Sequence, residues 1–163
     1  MVDATYKKRK VLTMPDFMAI ALQEAEEAAK RGEVPVGAVL VNENGILLAQ
    51  DGNRTEELSD PTAHAEILVL RHAAALRHEV RLPDCDLYVT LEPCAMCAAA
   101  ISFARIRRLI FGAYDPKGGG VDHGPRFYSQ VTCHHAPEVV GGVEEQKASE
   151  MLKAFFAGKR YTL

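Results

Sequence analysis

His64, Glu66, Cys94 and Cys97 are the residues of this 163-residue chain whose types and spacing can do chemistry. His64-Ala65-Glu66 offers an imidazole and a carboxylate, and Pro93-Cys94-Ala95-Met96-Cys97 offers two thiols at three-residue spacing. One imidazole and two thiolates make a three-ligand zinc set that leaves a fourth position for water. A carboxylate beside the histidine can then move the protons of that water. Three ligands plus a base point to a catalytic metal, because a closed structural site leaves Glu66 without a task.

Two rival readings use the same residues. A lone Cys-x-x-Cys beside strands also fits a redox pair. Cys133-His134-His135 could instead complete a closed site with Cys94 and Cys97, and no second Cys-x-x-Cys is present.

Helix starts must position these groups. A first helix is expected from Pro15 to Arg31, with Pro15 at its first position and Gly32 just past its end. Val36 to Val41 and Ile46 to Gln50 read as a hairpin around Asn42-Glu43-Asn44-Gly45. A second helix is expected from Pro61 to His78, with Thr62 as its N-cap. Asp86 to Leu91 reads as a third strand, and Pro93 opens a third helix through Ala104. Leu109 to Tyr114 is a fourth strand. A glycine-rich loop follows from Asp115 to Pro137, then a short strand at Val139 to Val143 and a last helix from Glu144 to Ala157. Strands alternating with helices imply a three-layer α/β/α sandwich, and the hairpin makes its five-stranded sheet mixed. His64 and Cys94/Cys97 then sit at helix N-termini, where free N–H groups and partial positive charge favour the thiolate. Both helices follow strands, so their first turns can meet at one sheet edge.

Bulk properties narrow the classes. The length suits a single domain spanning 1–163, with the polar, lysine-rich residues 1–13 as an N-terminal arm. No apolar run reaches the ~18 residues of a membrane span, and no secretory signal opens the chain, so the cytoplasm is the default. A reducing compartment also keeps the thiols available. The net charge of −3 argues against indiscriminate coating of nucleic acid. The clusters Arg105/Arg107/Arg108 and Lys153/Lys159/Arg160 read, each alone, as solvated surface.

The His-x-Glu and Pro-Cys-x-x-Cys pattern is that of zinc nucleobase deaminases. In that chemistry Glu66 carries a proton from the attacking water to a ring nitrogen and then to the departing amine. The metal residues leave the base unspecified. Around them, the strings from Glu33 to Leu40, Gly52-Asn53-Arg54, Thr62 to Ile67, Leu87 to Cys97 and Phe111-Gly112-Ala113 resemble bacterial tRNA-specific adenosine deaminases of the TadA type. The likeness runs from Pro15 to Arg160. It implies a cytidine deaminase-like fold, a homodimer with one zinc ion per subunit and no organic cofactor. It also implies conversion of the wobble adenosine of an arginine tRNA to inosine.

By position, the resemblance gives Asn53 a hydrogen bond to the flipped adenine and gives Val36 and Ala63 the base pocket. Glu92 and Pro93 precede the thiolates as in the family, and Asp115 meets nucleotides beside the target. Phe155, Phe156, Lys159 and Arg160 match an aromatic-basic last helix near the anticodon loop. Tyr114 stands where some members carry a basic residue. Ala157 and Gly158 interrupt the last helix, and the Gly118–Gly124 segment resembles only a subset. A deaminase of free bases or nucleosides shares the metal chemistry, and the acidic balance suits it. A non-catalytic zinc or RNA-binding protein has no use for Glu66.

Overall fold

The computed structural model describes residues 15–160, except for the Arg160 side chain. The arm expected over 1–13 lies outside the described residues. Five strands order as β2-β1-β3-β4-β5. They are β1 (Gly37–Asn42), β2 (Leu47–Gly52), β3 (Cys85–Leu91), β4 (Arg108–Ala113) and β5 (Glu138–Val140). β1 pairs antiparallel with β2 and β3, whereas β3/β4 and β4/β5 are parallel. The sheet is therefore mixed, as the hairpin requires.

Four helices cover it: α1 (Phe17–Lys30), α2 (Ala65–Arg77), α3 (Ala95–Phe103) and α4 (Glu145–Arg160). Side chains alternate across β1 and so serve both layers. Ala38 and Leu40 join Leu87, Val89, Leu109 and Phe111 under α2 and α3, through Val69, Ala98 and Ile101. Val39, Val41 and Ile110 face α1, through Phe17, Met18 and Ala21. α4 packs beside α1 on that second face, against β4.

Helix boundaries moved where local hydrogen bonding overruled propensity. Asp16, not Pro15, starts α1, because its carboxylate accepts the Ala19 N–H at 3.1 Å. Gly32 ends it at φ +83°, with Gly32 N–H donating to Ala29 and Glu33 N–H to Ala28, each at 3.0 Å. That is a Schellman closure, and it delivers Glu33 to the protein interior. α2 begins at Ala65 with His64 as N-cap. Thr62 is not free to cap it, since its N–H and hydroxyl both donate to Asp60 Oδ1, at 2.8 and 2.7 Å. α3 begins at Ala95 with Cys94 as N-cap. β5 is shorter than expected: beyond Val140, Gly141 packs against Phe111 and Tyr114. α4 continues through Ala157 and Gly158 to Arg160, and the space about Gly158 is open. No described helix is long and apolar enough to cross a membrane.

Candidate metal centre and its cavity

The topology gathers one edge of the sheet. Gly37 at the start of β1 pairs with Gly52 at the end of β2, and Leu91 at the end of β3 pairs with Ala113 at the end of β4. The residues just outside these ends therefore meet: Val36, Asn53, Glu92 to Cys94, and Asp115. Asn53 N–H donates to Val36 C=O at 2.9 Å, which fixes the first two.

α2 and α3 aim their N-termini at this edge. His64 and Cys94 are the caps of the two helices, and neither makes a side-chain capping hydrogen bond. Their side chains turn toward each other instead. His64 Nδ1 lies 3.6 Å from Cys94 Sγ and 3.5 Å from Cys97 Sγ. Among the described residues, these three form the group able to hold a metal ion, with all ligand atoms within 4.8 Å of one another. A tetrahedral zinc with bonds of ~2.0–2.1 Å to nitrogen and ~2.3 Å to sulfur requires N···S edges of about 3.6 Å. The donor set and its spacing fit zinc.

Protonation follows from the packing. The Cys97 thiol donates to Cys94 and holds Cys94 down at about 4, with His64 adding to the effect. The same bond, together with burial, pushes Cys97 far up. The bond to Cys94 also raises His64. Glu66 is buried in the first turn of α2, and burial pushes its carboxyl up to about 7. A carboxyl poised there can both accept and release a proton near neutrality.

A cavity of about 290 Å³ opens onto these groups. His64, Glu66 and Cys94 line it together with three of the substrate candidates, Val36, Asn53 and Asp115. Ala63 and Pro93 are buried beside it without being among its lining residues. Their carbonyls accept N–H bonds from Arg54 at 3.1 Å and Gly120 at 2.8 Å, and so back the site. Phe155, Phe156 and Lys159 lie on α4, away from the cavity lining, and the Arg160 side chain lies outside the described residues. Phe155 and Phe156 pack edge to face at 5.4 Å, and Lys159 Nζ sits 4.7 Å over the Phe155 ring.

Cys133 and His135 do not join the metal group. Cys133 Sγ contacts the His135 carbonyl at 3.2 Å, and His135 Nε2 meets the Ile106 carbonyl at 2.7 Å. Cys85 is buried away from the site, and burial pushes its thiol up to about 12.

Two carboxylates with wider roles than the sequence indicated frame the cavity. Glu33 accepts the backbone N–H of Glu56 at 3.2 Å and of Glu57 at 2.7 Å, plus Asn53 Nδ2 and Thr55 Oγ1, each at 3.4 Å. A carboxylate accepts only, so it turns the Asn53 amide with Nδ2 inward. Among the described residues, Asn53 Oδ1 is the buried side-chain atom left without a partner. Glu92 accepts N–H bonds from Asp115 at 3.1 Å, Val121 at 3.2 Å, Asp122 at 3.1 Å and His123 at 3.2 Å. Burial pushes the Glu92 carboxyl up, but the His123 ring and these amides outweigh it and hold it below the usual range. No local spacing marks either residue, because their donors lie 20 to 31 positions away. Glu33→Ala is expected to cost about 1–3 kcal/mol by orphaning these donors. Thermal unfolding of the zinc-loaded variant checks this, and an unchanged midpoint would contradict it.

Residues 13–113 match the family model for the cytidine and deoxycytidylate deaminase zinc-binding region. A tRNA-specific adenosine deaminase of Agrobacterium fabrum is 61% identical over 144 residues, which is 88% of this chain and 94% of the relative. A structure from a study of A-to-I editing by tRNA:A34 deaminases superposes with a TM-score of 0.82 at 62% identity, covering 83% of this chain and 98% of that one. A guanine deaminase from Nitrosomonas europaea shares the fold, with a TM-score of 0.74 at 23% identity over 86% of this chain and 83% of its own.

Proposed function

The chain belongs to the tRNA-specific adenosine deaminases, within the cytidine and deoxycytidylate deaminase zinc-binding family; from that premise we propose how its residues divide the reaction. The protein converts adenosine 34 of a tRNA anticodon to inosine by zinc-dependent hydrolysis. The observation that carries the reading is that His64 and Cys94 of the metal set line the same cavity as the buried Glu66 carboxyl.

His64, Cys94 and Cys97 hold the zinc. When bound, zinc supplies a Lewis acid that lowers the pKa of water toward ~7. Glu66 takes one proton from the attacking water and gives it to N1 of the adenine as the oxygen joins C6. It then collects the remaining hydroxyl proton and delivers it to the exocyclic amine. The C6–N bond breaks, ammonia leaves, and C6 keeps the oxygen as a carbonyl. The cavity admits the base only once it is flipped from its loop, as in single-stranded recognition.

Asn53 binds the base, a role supported by its unpaired amide oxygen beside the cavity. Val36 forms an apolar wall, with Ala63 and Pro93 behind it. Asp115 meets the nucleotides flanking the target. Phe156, Lys159 and Arg160 meet the anticodon loop, the tRNA is an arginine tRNA, and the reaction runs in the cytoplasm without an organic cofactor. The protein is a homodimer formed on the α2/α3 face. Exposed Val80 and Phe103, at 80% and 67%, support that face, as does the groove they line with Ile67, Leu70 and Ala100.

The zinc-loaded enzyme is expected to deaminate an arginine-tRNA anticodon stem-loop and to leave free adenosine, cytosine and guanine unchanged. Turnover of a free base alone would move the assignment to a nucleobase deaminase.

A further inference from the structure

One wall of the cavity, Asp115 and Gly118, belongs to the irregular loop that follows β4. This loop is moulded on Glu92, whose side chain is fully buried. Four backbone N–H groups, from both ends of the loop, converge on its two oxygens. Gly119 lies so close to that carboxylate that a Cβ would collide with it. Gly120 packs on the Cys94–Ala95 backbone, and its N–H donates to the Pro93 carbonyl at 2.8 Å. The loop thus rests on the segment that carries Cys94.

His123 closes the arrangement from the far end. Its Nδ1 lies 2.7 Å from Glu92 Oε1, and since the carboxylate accepts, Nδ1 carries the hydrogen. The ring also meets Tyr114 edge to face at 6.2 Å, so it grips the root of the loop at two places.

We propose that His123 is a positioning residue: its hydrogen bond to Glu92 clasps the 115–124 loop and keeps Asp115 and Gly118 as a fixed wall for the nucleotides beside the target adenosine. This inference rests on the tRNA deaminase reading of the cavity. Without the clasp, the wall must be ordered each time RNA binds, and that ordering weakens binding without touching the metal or Glu66.

The test compares zinc-loaded wild type, His123→Ala and His123→Asn on an arginine-tRNA anticodon stem-loop. The asparagine amide offers an N–H where Nδ1 stood. His123→Ala is expected to raise KM about tenfold, with kcat held within about twofold and zinc content unchanged. Amide hydrogen exchange at Val121 and Asp122 is expected to accelerate in His123→Ala, and His123→Asn to restore both readouts. Unchanged KM and exchange in His123→Ala would overturn the clasp. So would a joint fall of zinc, kcat and thermal midpoint, or an asparagine variant no better than alanine. If wild type ignores the stem-loop and deaminates a free base, the tRNA reading fails, and the exchange rates alone then decide the clasp.

Discussion

Glu66→Ala retains its zinc and loses deamination by about 10²–10⁴-fold, the usual contribution of a positioned acid–base group. Both halves of this expectation follow from the packing. The proposed zinc ligands His64, Cys94 and Cys97 have their ligand atoms within 4.8 Å of one another without help from Glu66. The proton transfers, by contrast, fall to Glu66, which lines the cavity two residues after the ligand His64 and whose carboxyl burial pushes up to about 7. Glu66→Gln is the sharper variant, because it keeps the shape of the buried side chain and removes only the proton exchange. It should fail as completely as alanine with less loss of stability. Zinc content by metal analysis and inosine formation in the stem-loop are the two readouts. Normal turnover by either variant would remove Glu66 from the mechanism, and loss of zinc would make it a ligand instead.

Cys94→Ala has a different signature: zinc, activity and stability fall together. Removing one of three ligands destroys the set, and metal binding contributes folding free energy where ligands from separate elements converge. Cys94 opens α3 and His64 opens α2, so the metal joins two helices of one layer. A chelator should therefore lower the thermal midpoint of wild type, by about 2–4 °C for each kcal/mol of metal stabilisation in a chain of this size. The same chelator should leave the midpoint of Cys94→Ala unmoved. A variant that keeps one equivalent of zinc, or that still responds to chelator as wild type does, would contradict the ligand assignment.

The ligand residues were legible because each of their two motifs is local, although the fold alone brings the motifs together. His64-Ala65-Glu66 and Cys94-Ala95-Met96-Cys97 each sit at the start of one helix, so spacing fixes the geometry within each motif. The layers were legible too, because β1 is apolar on both faces and α1 is periodic. The starts of α2 and α3 were not. Thr62 has the better capping side chain, but Asp60 takes its hydroxyl and amide in a turn of its own, and the helix begins only after His64. Glu33 and Glu92 were harder still. Each is a single acidic residue in an apolar string, and its importance comes from donors that only the folded chain brings near. Gly158 misled in the opposite direction, because an exposed glycine weakens a helix without ending it.

His64 and Cys94 stand 30 positions apart. A metal gripping both closes that stretch of chain, with α2 and β3 inside it, into a ring. Such a ring restricts the unfolded polypeptide as a covalent cross-link does, and the restriction grows with the length enclosed. The ion therefore doubles as a staple between α2 and α3, made from one imidazole and two thiols. Unlike a disulfide, this staple opens whenever the ion is withdrawn, so the supply of zinc sets how long the folded chain survives as well as whether it can turn over.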